Sequence, residues 1–318
     1  MKRCLVAALT LCLSAPWLAG CGRSYGRRPL VELIPADTLV VLSVNWQAVR
    51  GDRDLTALVK GAEFKRILDE VGVSEQTVTR LAVFGDGTAG PGGSTGMLLN
   101  GSFNAREIAD SARGRGWAKE SYDGHAVYVN QGDGTHLAAL DSGTLACGTE
   151  RGVAGVFHAQ SDAEDSFAST ATYKRLSKLF KAGGAPISMI LAFPQHLQDA
   201  ADAALKVASL MMDFTGVGPL GQLMGKIGYA RALGCTIGRE GESFPVELVA
   251  VMKDEESATF VSGGLTLLKG LGALAGQSLA RSPEEAEALH NFQNMSVSRK
   301  AEVLTVGLVM SRRNLLPN

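Results

Sequence analysis

Short apolar runs recur along the chain with a long period. Residues 39–46, LVVLSVNW, and 187–194, ISMILAFP, are apolar runs of strand length. Each is followed by a stretch with helical spacing, 54–71 in the first case and 195–214 in the second. A second strand candidate comes next, RLAVFGDG from Arg80 and ARALGCTIG from Ala230, and then a third, GMLLNGSF from Gly96 and PVELVAVM from Pro245. With Leu39, Leu81 and Gly96 laid on Ile187, Ala230 and Pro245, the offsets are 148, 149 and 149 residues. Three elements in nearly constant register indicate an internal duplication.

The register continues into a helix start. Asn104 and Glu107 form a capping box, Asn104 accepting early N–H groups and Glu107 reaching back. Asp254 stands at the equivalent N-cap without the box partner, and Ala109 aligns with Ala258. Each half then returns in strands, HAVYVN at 125–130 and VLTVGLVM at 303–310, and residues 283–291 of the second half read as an additional helix. Each half therefore reads βαββαβ, the split order of ferredoxin-like domains.

The fold class expected is α+β, a tandem duplication of two ferredoxin-like halves with mainly antiparallel sheets. The first half carries an extra β-meander: Asp123-Gly124, Asp133-Gly134 and Asp141-Ser142-Gly143 separate strands expected at 117–122, 125–130, 134–140 and 143–148. Asp-Gly is the pair that tight hairpin turns select, because both central residues need positive φ. A polar helix at about 166–181, ending at Gly183-Gly184-Ala185-Pro186, separates the halves. The organisation expected is a signal peptide at 1–20, a lipidated cysteine and tether at 21–34, a first half at 35–160, a helical linker at 161–185 and a second half at 186–318.

The first 20 residues run from Lys2 and Arg3 through an apolar stretch to Ser14, Pro16, Trp17, Ala19 and Gly20. That is the order of a secretory signal, and it falls short of a bilayer span of about 20 apolar residues. Leu18-Ala19-Gly20-Cys21 resembles the lipobox of bacterial lipoproteins. The resemblance implies that Cys21 is acylated, becomes the mature first residue and attaches the protein to a membrane. Gly22 in place of an aspartate implies, by the enterobacterial sorting rule, the outer membrane, with the body facing the periplasm. The tether GRSYGRRP at 22–29 is a flexible coil reaching on the order of 15 to 20 Å. Pro35-Ala36-Asp37-Thr38 before the first strand and Tyr122-Asp-Gly124-His-Ala-Val127-Tyr128 in a hairpin resemble uncharacterised bacterial lipoproteins and secreted proteins; that resemblance implies no activity.

Loss of Lys2 and Arg3 with the leader takes the formal charge from −1 to −3, and no basic stripe of the kind nucleic acid requires is present. Of five cysteines, Cys4 and Cys12 leave with the signal, and Cys147 and Cys235, both in strand-like runs, read as buried thiols, with a disulfide between them as the alternative that an oxidising compartment permits. GDGTAG at 85–90 matches a dinucleotide fingerprint, but a strand follows where pyrophosphate binding needs a helix N-terminus. Gly92-Gly93-Ser94-Thr95-Gly96 matches G-x-S-x-G, but a nucleophile elbow also needs a following helix. His125, His136, His158, His196 and His290 are scattered and lack metal-ligand spacing. No catalytic, cofactor-binding or metal-ligating residue is assigned, and no cofactor is expected.

Strands of the second half are apolar on both alternating sets, Val246, Leu248 and Ala250 against Val249 and Val251, which predicts that both sheet faces are covered. The helices there are apolar too, with Met211, Met212 and Met224 in one stretch and GGLTLLKGLGALAG at 263–276 in another. Lys269 in mid-helix argues for a core helix over a membrane span, since it costs about 2.5–3.5 kcal/mol at a bilayer centre. Three functional readings follow. The first is a non-enzymatic envelope protein, its halves covering each other's apolar faces, that binds or scaffolds another envelope protein; the second is a carrier of a lipid or other hydrophobic ligand; the third is a hydrolase with an unrecognised site.

Overall fold

The computed structural model describes residues 29–59, 62–88, 92–179, 184–193, 230–279, 290–291 and 293–312. The signal, Cys21, the helix expected at 195–214 and most of that at 283–291 lie outside the described residues. Strands β1 (Val40–Val44), β2 (Val78–Gly85), β3 (Thr95–Gly101), β4 (Ala118–Tyr122), β5 (His125–Asn130), β6 (Thr135–Ala139) and β7 (Thr144–Gly148) form in the first half. Strands β8 (Ile187–Ala192), β9 (Ala230–Ile237), β10 (Ser243–Met252), β11 (Ser296–Lys300) and β12 (Val303–Ser311) form in the second. All twelve join one sheet in the order β11-β12-β10-β9-β8-β1-β2-β3-β7-β6-β5-β4, and every pairing between them is antiparallel.

This topology corrects the ferredoxin-like reading. A split βαβ order runs the strands before and after the first helix parallel, with a third strand between them, whereas here β1 and β2 are antiparallel neighbours even though helices join them. A strand–helix–strand pattern in sequence does not distinguish a crossover from a return to the adjacent edge. The halves also do not stack. They meet edge to edge where β1 pairs with β8, Val40 opposite Leu191 and Val44 opposite Ile187. Outward from this seam the order is β1-β2-β3-β7-β6 on one side and β8-β9-β10-β12-β11 on the other. The partner of β12 by position is thus β7, not the 125–130 strand that the sequence pattern suggested.

Seven α-helices occur among the described residues: α1 (Trp46–Val49), α2 (Arg53–Val59), α3 (Ala62–Val71), α4 (Ala105–Gly114), α5 (Glu150–Ser161), α6 (Ala171–Leu179) and α7 (Glu255–Leu279). Their starts follow local chemistry. Asn45 Oδ1 accepts from Ala48 N, Asn104 Oδ1 from Arg106 N and Glu107 N, Thr149 Oγ1 from Gly152 N, and Asp254 Oδ1 from Ser257 N. Glu107 caps differently from the expected box, accepting from the Asn104 side chain at 2.8 Å. The Asp123-Gly124 turn has φ of 48° and 81°, the two positive values its hairpin needs.

Each sheet face has its own core. On one face α1 to α4 lay Trp46, Leu55, Leu68, Val71 and Ile108 over Leu81, Leu99 and Leu145, and α7 lays Ala258 and Val261 over Met252 and Leu304. On the other, α5, α6 and a 3-10 turn at Leu30–Leu33 bury Leu33, Val156 and Leu176 against Phe84, Leu98 and Val249. The first core crosses the seam, since it includes Phe244 and, at its margin, Ile237 and Met310 of the second half. Arg239 ties the same corner: Nε lies 3.1 Å from Asp52, Nη2 3.6 Å from Asp54, and Cζ 4.4 Å from the Phe244 ring centroid. Arg312 adds a 2.8 Å pair to Asp54.

Candidate functional site

Cross-strand pairing lines up one row of side chains over the whole sheet. From β11 to β4 it reads Val297, Val306, Leu248, Cys235, Met189, Leu42, Val83, Met97, Cys147, Leu137, Tyr128 and Lys119. Eleven of the twelve are apolar, thiol or aromatic, on the face that carries α1 to α4 and α7. Coverage is uneven. Met97 and Leu137 are buried, whereas Val83, Met189 and Leu248 are 41%, 37% and 39% exposed. The open part spans five adjacent strands at the middle of the sheet.

This corrects the expectation that both faces of the second-half strands are covered. Val249 is 1% exposed, but its neighbour Leu248 is open, and of nine residues in β12 only Leu304 is buried. The helix expected as a core helix is likewise one-sided: α7 buries Ala258 and Val261 but leaves Leu267 64% exposed. Lys269 donates from Nζ to the Met295 carbonyl at 2.7 Å, which satisfies its charge at the edge of the packed face. No helix among the described residues is long and apolar enough to cross a membrane.

A second polar cluster lies at the strand ends near the start of β1. Arg151, in the first turn of α5, is 3.1 Å from Asp37 and 3.8 Å from Asp86. Asp86 accepts from Thr88 N at 2.8 Å and Ser94 N at 2.9 Å, which ties Thr88 and Ser94 to the end of β2. Its burial pushes the pKa up, but the Ser94 and Thr88 donors and the Arg151 charge outweigh that, so the carboxyl ionises below its ordinary value. Open clefts of about 470 and 460 Å³ flank Arg151.

These polar groups are engaged in holding loops and helices together. Tyr122 Oη and His158 Nε2 are 3.0 Å apart, and His125 stacks on Phe157 at 4.5 Å between centroids, so both histidines dock the β4–β5 hairpin on α5. His136 Nδ1 lies 3.0 Å from the Gly134 carbonyl and His290 Nε2 2.9 Å from Asn294; His196 lies outside the described residues. Of the segment holding both sequence matches, residues 92–94 enter β3 directly, with Ser94 buried, and residues 89–91 lie outside the described residues. No group of three or more metal-ligating side chains occurs among the described residues.

Cys147 and Cys235 are free thiols. Burial, with the charges of Glu70 and Asp133, pushes Cys147 up to about 12, and burial alone raises Cys235. The exposed row was the feature that sequence reasoning missed: alternation showed apolar residues on both strand faces, but not which face the helices leave open.

No protein-family model matches the chain, and no curated protein does. Among solved structures, crystal form IV of TP0453 is similar at 11% identity and a TM-score of 0.46, over 90% of this chain and 94% of that one. Crystal form III of TP0453 gives 10% identity and a TM-score of 0.44, over 90% and 95% of the two chains.

Proposed function

We propose that this protein is a lipid-anchored bacterial envelope protein with a binding or scaffolding role and no catalysis, acting on another envelope protein. Cys21 is the anchor; the outer membrane, with the body in the periplasm, is the location the lipobox and Gly22 favour. Several acyl chains hold a protein firmly, since each buried CH₂ contributes about 0.8 kcal/mol. The halves descend from a duplicated unit of three strands, a helix and a hairpin, a reading supported by the matching strand order on either side of the seam.

The observation that carries the binding role is the open apolar row at Val83, Met189 and Leu248. Contiguous exposed apolar surface costs solubility and marks contact surfaces, whereas Arg151, His125 and His158 have fold-holding partners. Pull-down from detergent-solubilised membranes, with lipid analysis of the same sample, tests it. Met189→Asp and Leu248→Asp should each remove the same co-purifying protein while leaving the fold intact. An unchanged protein set in both variants overturns the reading, and loss of a lipid alone transfers it to the hydrophobic-ligand carrier.

A further inference from the structure

We draw no further inference here: the strongest candidate, the open cleft of about 470 Å³ beside Arg151, where Thr38 Oγ1 is buried without a hydrogen-bond partner among the described residues, carries nothing because that oxygen is closed off from the cleft and Arg151 is held by Asp37 and Asp86.

Discussion

Val249 and Leu248 are consecutive residues of β10 that face opposite ways, and an aspartate at each should give very different proteins. Val249 is 1% exposed in the core beneath α6, and Leu248 is 39% exposed in the open row. Val249→Asp forfeits the burial of a valine, about 1.5–3 kcal/mol. Holding the new carboxyl protonated at pH 7 against an ordinary pKa of about 3.9 costs about 4 kcal/mol more, at 1.36 kcal/mol per unit. Local relaxation and water entry recover part of this, leaving a loss of about 4–6 kcal/mol, comparable with the whole stability of many domains. Leu248→Asp should cost about 1 kcal/mol, because its side chain already meets water.

The assay is urea unfolding of both variants at pH 7 and at lower pH. In Val249→Asp the folded state holds a proton that the unfolded chain releases, so the folded pKa lies above the unfolded one. The deficit should therefore be smallest near pH 4 and widen by up to about 1.4 kcal/mol per pH unit on the way to pH 7. Equal midpoints for the two variants would refute the assignment of faces. A deficit in Val249→Asp that ignores pH would refute the claim that its site is dry.

Further outcomes follow from other contacts. Arg239→Ala removes pairs to Asp52 and Asp54 and the cover on Phe244; with Arg312 still on Asp54, it should cost about 1–2 kcal/mol in chemical denaturation. Gly152→Ala places a Cβ 2.2 Å from the Thr95 carbonyl oxygen, so α5 must shift off β3 and the melting midpoint should fall by several degrees. The Asp86 carboxyl, ionising below its ordinary value, contributes stability present above the unfolded pKa and lost as pH falls through the folded pKa; Asp86→Asn should lower stability at pH 7 and flatten the acid limb of the pH profile. Maleimide at pH 8 should modify Cys235, which lies on the partly open row, well before Cys147, whose thiol is pushed up to about 12, and liquid chromatography of the labelled peptides reads the order.

Much of the strand content was legible because strands announce themselves by apolar runs and turn chemistry. β5 begins and ends where the pattern placed it, and β4, β6 and β7 do so within a residue, since Asp-Gly pairs set their ends. The N-caps Asn104 and Asp254 were legible for the same local reason. α5 was missed although Thr149 caps it and Val153, Val156 and Phe157 give helical spacing; its glycines at 152 and 155 masked the signal, and they are there because the helix presses on Thr95 and Pro35. β11, SVSRK, went unread because an edge strand with one neighbour is polar. Topology was not legible at all: local pattern names the elements between β1 and β2 but not the edge to which the chain returns. The open row depends on registers between strands far apart in sequence, such as Val44 with Ile187, and no local signal encodes those.

Mass spectrometry of the N-terminal peptide from membrane-extracted protein tests anchoring at Cys21 directly. The expected result is a mature chain beginning at Cys21 and carrying acyl mass, with Cys21→Ser abolishing both the modification and membrane retention. A chain that retains residues 1–20, or one that begins elsewhere with Cys21 absent or bare, would contradict it.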